Sequence, residues 1–157
     1  MSTKQKTYLI FADGSPEFDR SMRYASLAAK ANGANILVLY VLEGQEFQPW
    51  AGIEERIQQE QQREAEEVLT TIVNEIGAVS GTKPSYIIEE GAKSEVVLRV
   101  LETRPEIAKL IVTSAVDGAS QGALLSYFTG AGATKLSVTL TIVPGHVSLE
   151  QIDALVE

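Results

Sequence analysis

The groups in this chain best suited to binding chemistry are backbone groups, exposed where glycines cluster. Between residues 113 and 135 the sequence reads TSAVDGASQGALLSYFTGAGATK, with Gly118, Gly122, Gly130 and Gly132. Glycine lets a backbone approach a ligand closely, and free N–H groups in such a loop can cradle phosphate oxygens. Ser114, Ser126, Thr129 and Thr134 place hydroxyls among them. No Gly-Lys-Ser/Thr occurs, so the segment is not a Walker loop, and a plain surface loop is the alternative reading.

A second group of candidates follows the first apolar run, where Ala12, Asp13, Gly14 and Ser15 precede Pro16. This turn lacks the G-x-G-x-x-G spacing of dinucleotide folds. Asp13 either stands beside a ligand or stops the strand and caps the next helix together with Ser15. His146 is the single histidine, and a general base needs a partner within reach. There is no cysteine and no G-x-S-x-G elbow, which removes disulfides, thiolate metal sites, a cysteine nucleophile and the usual hydrolase triad. No catalytic residue and no metal ligand is therefore expected.

These candidates have to be held by regular elements, and the pattern of apolar runs supplies them. TYLIFA at 7–12 is a short unbroken apolar run ended by turn residues, as in a strand buried on both faces. Pro16 suits the first position of a helix that turns Phe18, Met22, Ala25 and Ala29 to one side and stops near Gly33. Strands are expected at 34–42, 85–90, 109–114 and 137–143. A long helix is expected over 53–76, its second half directing Val68, Leu69, Ile72, Val73 and Ile76 inward, while the Glu/Gln run before them is a solvated face. Ser94 is placed to cap a helix carrying Val96, Val97, Val100 and Leu101, ended by Pro105. Ser148 and Gln151 have capping-box spacing at the start of a terminal helix.

Alternating strands and helices imply an α/β fold. The expectation is a five-stranded parallel open sheet with helices on both faces and a C-terminal helix, all one domain over 1–157. Ligands of such sheets bind at the carboxyl ends of the strands near the switch in strand order. Ala12 to Ser15, Val41 and the glycine-rich segment arrive there. Val41 has two roles open to it, an apolar wall with backbone groups for a base, or plain core. Phe47 and Trp50, ahead of the long helix, either cover that pocket or seal a core edge.

The chain resembles the universal stress protein family along nearly its whole length. YLIFADGS resembles that family's first strand and acidic turn, and LVLYVLE its second strand. IIEEGAKSEVVLRVLE, IAKLIVTSA and VTLTIVPG resemble its strand-glycine-helix segment, the strand before its phosphate loop, and its final strand. The resemblance implies a fold like the adenine nucleotide alpha hydrolases. It also implies a stress-response protein that binds ATP or AMP, with Mg²⁺ if ATP, and has at most weak ATPase activity. Ala12, Asp13, Gly14, Ser15, Val41, Ser114, Gly118, Gly122, Thr129, Gly130 and Gly132 would form its site. The nucleotide-binding loop of that family reads Gly-x-x-Gly, nine residues, then Gly-Ser or Gly-Thr. Here Thr113 or Ser114 stands at the first glycine, and Gly122 and Gly132 have the nine-residue interval but Ala133 follows. A regulatory or structural dimer of the same fold without nucleotide is the competing reading.

The net charge of -8, without a run of Lys or Arg, disfavours nucleic acid and anionic membrane surfaces. No apolar run approaches the about 20 residues of a membrane span, and a cytoplasmic protein is expected. The expected partner is a second copy, joined through the strand from Ser137 to Val143, with the C-terminal helix as a further candidate contact. SVTLTIV carries no charge and is long for an edge, which is a hazard unless something covers it.

Overall fold

The computed structural model describes residues 5–12, 16–42, 53–114 and 122–156. Five strands are present: β1 (Thr7–Ala12), β2 (Asn35–Leu42), β3 (Ser85–Glu90), β4 (Ile107–Thr113) and β5 (Thr139–Val143). They form one sheet in the order β3-β2-β1-β4-β5, and every neighbouring pair is parallel. The helices are α1 (Phe18–Asn32), α2 (Ile53–Ser80), α3 (Lys93–Thr103), α4 (Gly122–Thr129) and α5 (Leu149–Leu155), with a short 3₁₀ turn at Ala133–Lys135. The fold expected from the sequence is the fold observed.

β1 is central, and its alternating side chains feed two cores. Tyr8, Ile10 and Ala12 join Phe18, Ala25 and Ala29 of α1, Leu69, Ile72 and Ile76 of α2, and Ile152 of α5. Leu9 and Phe11 point the other way, to Val96, Val97, Val100 and Leu101 of α3 and Leu124, Leu125 and Phe128 of α4. Period-two side-chain alternation along one strand thus builds both layers.

Several local expectations are corrected. Val68 is 41% exposed, because the inward stripe of α2 runs Ala65, Leu69, Ile72, Ile76 and Val68 falls beside it. The residue preceding α1 is Glu17, without a side-chain cap bond, so Pro16 sits ahead of the helix rather than at its first position. Ser94 does not cap α3. The helix already starts at Lys93, after Ala92, whose carbonyl accepts the Val96 N–H at 2.9 Å. Gly91 causes that early start. Its φ of 138° is open to glycine but costly for other residues, and it turns the chain immediately after β3. Ser137 and Val138 precede β5 rather than belonging to it.

The C-terminal helix settles on α1. Its capping box forms as expected, with Gln151 N–H donating to Ser148 Oγ at 3.1 Å and Ser148 N–H donating to Gln151 Oε1 at 2.9 Å. Ile152 is fully buried against the α1 side of the sheet. Arg20 Nε donates to Val147 O at 3.0 Å, and Arg23 grips Asp153 through two bonds of 2.7 and 3.0 Å. Burying a side chain like Ile152 stabilises by about 1.5–3 kcal/mol, whereas an exposed ion pair contributes little, so apolar contact is what holds α5. The outer side of β5 has no strand partner among the described residues, and Ile142 there is 43% exposed.

Candidate functional site: the carboxyl edge at the strand switch

The strand order reverses between β1 and β4. β1 leads left through α1 to β2, and β4 leads right through α4 to β5. In open α/β sheets such a switch in strand order is where ligands bind. Ala12 is buried on the α1 side. Ser114 follows directly after Thr113 and is half-buried.

Two hydroxyl contacts lie at this switch point. Ser21, fully buried on α1, shares a hydrogen bond with the hydroxyl of Thr113. It ties the first turns of α1 to the last residue of β4. Ser114 anchors the end of β5: its N–H donates to Val143 O at 3.0 Å, and its Oγ accepts the Gly145 N–H at 3.2 Å. That acceptor bond leaves the Ser114 hydroxyl proton available to donate. Glu17 packs against Gly145 from the start of α1. Val41 lies next to the end of β2, paired with Glu89 of β3 and packed toward the α3 and α4 side.

The sequence candidates fall into three groups. Ala12, Val41 and Ser114 lie at this carboxyl edge, and Gly122 begins α4. Asp13, Gly14, Ser15 and Gly118 lie outside the described residues, as do Phe47 and Trp50. Thr129, Gly130 and Gly132 are placed elsewhere. α4 runs back along the sheet, because β5 is parallel to β4 and must be entered at its amino end. These three residues lie in that return, at the edge opposite Ala12 and Ser114.

Their polar groups have local uses there. Thr129 Oγ1 donates to Leu125 O at 2.8 Å. The N–H groups of Gly130 and Gly132 both donate to Tyr127 O, at 3.2 and 2.8 Å. Gly132 lies under the Tyr127 ring, which a Cβ would overlap, and Lys135 stands over that ring at 5.8 Å. This is a helix end closed on itself.

Sequence reasoning missed Ser21, Gly145 and Lys93. Ser21 had a signal: it stands three residues after Phe18 on the apolar side of α1, where a hydroxyl needs a partner. Lys93 is the first charged residue after the turn that ends β3, and its ammonium reaches the Phe11 ring of β1. Among the described residues no group of three or more His, Asp or Glu is arranged to hold a metal ion. A cavity of about 370 Å³ lies on the outer surface of the helical layer, between Met22, Ser26, Glu75, Ala78, Val79 and Leu149. It is separate from the strand ends, and topology rather than cavity size marks the site.

Residues 6–144 match the model of the universal stress protein family. In fold the chain is similar to the universal stress protein UspA from Lactobacillus plantarum, at 14% identity and a TM-score of 0.75, over 90% of this chain and 99% of that one. A universal stress protein family member from Burkholderia pseudomallei is similar over 92% and 99%, at 12% identity and a TM-score of 0.68. So is a universal stress protein crystallised in complex with cAMP, over 91% and 99%, at 16% identity and a TM-score of 0.65. No relative among curated proteins matches by sequence.

Proposed function

The chain belongs to the universal stress protein family, and from that membership we propose that it is a stress-response regulatory module that binds an adenine nucleotide and acts as a homodimer. The observation that carries the reading is the switch in strand order between β1 and β4, which sets the ends of the two strands side by side. Ala12 offers a small buried surface there, Ser114 a hydroxyl, and Asp13 follows β1 directly in the sequence. Val41 stands at the neighbouring strand end, suited to the base. The similarity to a family member held with cAMP supports an adenine ligand.

The base and ribose half of the ligand fits these groups better than a triphosphate does. Glycines 130 and 132 direct their N–H groups into their own helix end, so phosphates beyond the first would depend on Gly118 and Gly122. AMP is accordingly favoured over ATP, and Mg²⁺ enters only if ATP is the ligand. Hydrolysis is at most weak. The same observation favours a second reading, a regulatory dimer that binds no nucleotide. Calorimetry with AMP, ADP and Mg-ATP separates the two. Heat of binding that Ser114→Val weakens supports the nucleotide reading, and no heat at millimolar ligand establishes the other.

The homodimer would be built on β5. Its outer edge is uncharged and carries Ile142 exposed, and α5 rests on α1 instead of covering it. Two copies meeting about a two-fold axis would close both edges, the commonest oligomeric solution. With no basic patch in the sequence and no helix among the described residues long and apolar enough to cross a membrane, nucleic acid and membrane partners are disfavoured. A cytoplasmic location accords with this.

A further inference from the structure

The layer formed by α1, α2 and α5 has an opening of its own, away from the strand ends. On α1, Asp19, Met22, Arg23 and Ser26 stand at positions i, i+3, i+4 and i+7, which sets them on one face. On α2, Glu75, Ala78 and Val79 stand at i, i+3 and i+4. These two faces border the cavity of about 370 Å³, and Leu149 at the start of α5 adds a third wall. The volume is at the small end of the roughly 300–1,000 Å³ that ligand pockets span. Leu149 is a large apolar side chain left open to solvent. α5 lies beyond residue 144, where the match to the family model ends, so this wall is outside the matched region.

The polar groups at the cavity set the chemistry of an occupant. Ser26 is buried and donates its proton to Met22 O at 2.7 Å, so its oxygen can only accept from a ligand. Arg20 bonds Asp19, and Arg23 grips Asp153. Two guanidiniums and two carboxylates thus pair off. Glu75 is left as the carboxylate at the cavity with no cation beside it among the described residues. Acceptors and one uncompensated negative charge complement a cationic donor, while Met22, Val79 and Leu149 offer apolar walls. We infer that this cavity is a second ligand site, which takes a small apolar amine, its hydrocarbon body against Met22, Val79 and Leu149 and its ammonium at Glu75. The site is independent of the nucleotide reading. Glu75 is exposed, so its charge-assisted bond adds preference, and burial of the apolar body supplies most of the affinity. A bound amine spans α2 and α5, and so holds down a helix whose own seat is on α1.

The test is an NMR titration of the full chain with phenethylamine, beside its neutral counterpart phenethyl alcohol and its anionic counterpart hydrocinnamate. Saturable shifts are expected at the amides of Ala78, Val79 and Leu149, with slower amide exchange in α5. The amine should bind about fivefold tighter than the alcohol, the upper range for one exposed charge pair, and hydrocinnamate weakest of the three. Glu75→Gln should remove the preference for the amine and leave affinity for the alcohol unchanged. Ala78→Phe puts a ring into the cavity from an exposed helix position and should abolish binding of all three probes. Melting temperature checks the fold, and Leu149→Ser, which removes a wall, replaces Ala78→Phe if that variant does not fold. Absence of saturable shifts at these amides overturns the site. So does binding that survives the filled or opened cavity. Equal affinity for amine and alcohol, or a preference that persists in Glu75→Gln, overturns the assignment of an amine. None of these results bears on the nucleotide reading, which the calorimetry with AMP, ADP and Mg-ATP decides.

Discussion

Gly145 and Ser114 meet backbone to backbone. The Gly145 N–H donates to the Ser114 hydroxyl, and a Cβ on Gly145 would overlap the Ser114 carbonyl oxygen. A backbone atom in a parallel ladder cannot swing aside as a flexible side chain can. Gly145→Ala should therefore destabilise the protein by about 1–3 kcal/mol, the usual range for overpacking. Denaturant unfolding reads this, and a midpoint equal to the wild type's would show that the β5 end is looser than described.

Gly132 and Tyr127 give a similar clash with a different remedy, because the obstacle is a half-exposed ring. Gly132→Ala should cost stability alone and much less in the background of Tyr127→Ala, giving a coupling of about 0.5–3 kcal/mol in a double-mutant cycle. Nucleotide affinity should be indifferent to both changes, since they lie at the opposite edge from Ser114. Weaker binding in Gly132→Ala would return this segment to the ligand site.

The assembly prediction concerns β5. Ile142→Glu or Thr141→Lys places a charge on the open edge strand, and sedimentation should then find monomers where the wild type sediments as a dimer. A wild type that is already monomeric at micromolar concentration removes the proposal, as does a dimer that tolerates both charges.

Arg23 and Asp153 predict a weak pH dependence. The hydrogen bond from Arg23, and secondly its charge, hold the Asp153 carboxyl below the usual aspartate value, with burial opposing them. A carboxyl lowered in the folded state stabilises above its unfolded value of about 3.9, and that contribution is lost as pH falls through the folded value. Asp153→Asn should lower the melting temperature slightly at neutral pH, with the difference vanishing in stronger acid. A gap that persists there would assign the effect to packing.

Much of the architecture was legible because it rests on local pattern. The apolar runs TYLIFA and SYIIEE became β1 and β3 at the residues expected, and Ser148 with Gln151 capped α5 as their spacing implied. The starts of α1 and α3 were not legible, since a cap is chosen by where the preceding turn lets a helix begin. Ser94 had the right chemistry one turn position too late, after Gly91 had already redirected the chain. The roles of Gly130 and Gly132 were hidden for another reason. Their meaning depends on Tyr127, three and five residues earlier, whose carbonyl accepts both N–H groups and whose ring folds back over Gly132. Lys93 was hidden because its partner Phe11 is remote in sequence, and only the crossing of α3 unites them.

The seat of Ile152 beneath α1 has a consequence for synthesis on the ribosome. β1 and α1 emerge first, yet the neighbour that closes one flank of β1 is β4, and the helix that completes the burial around α1 is α5. A nascent chain thus carries its central strand half-paired until residue 113 is free of the exit tunnel, and an open apolar seam until residue 152 is. Contacts so distant in sequence slow folding and prolong exposure of apolar surface. This part of the fold cannot form piecemeal from the front, because α5 closes the core around α1.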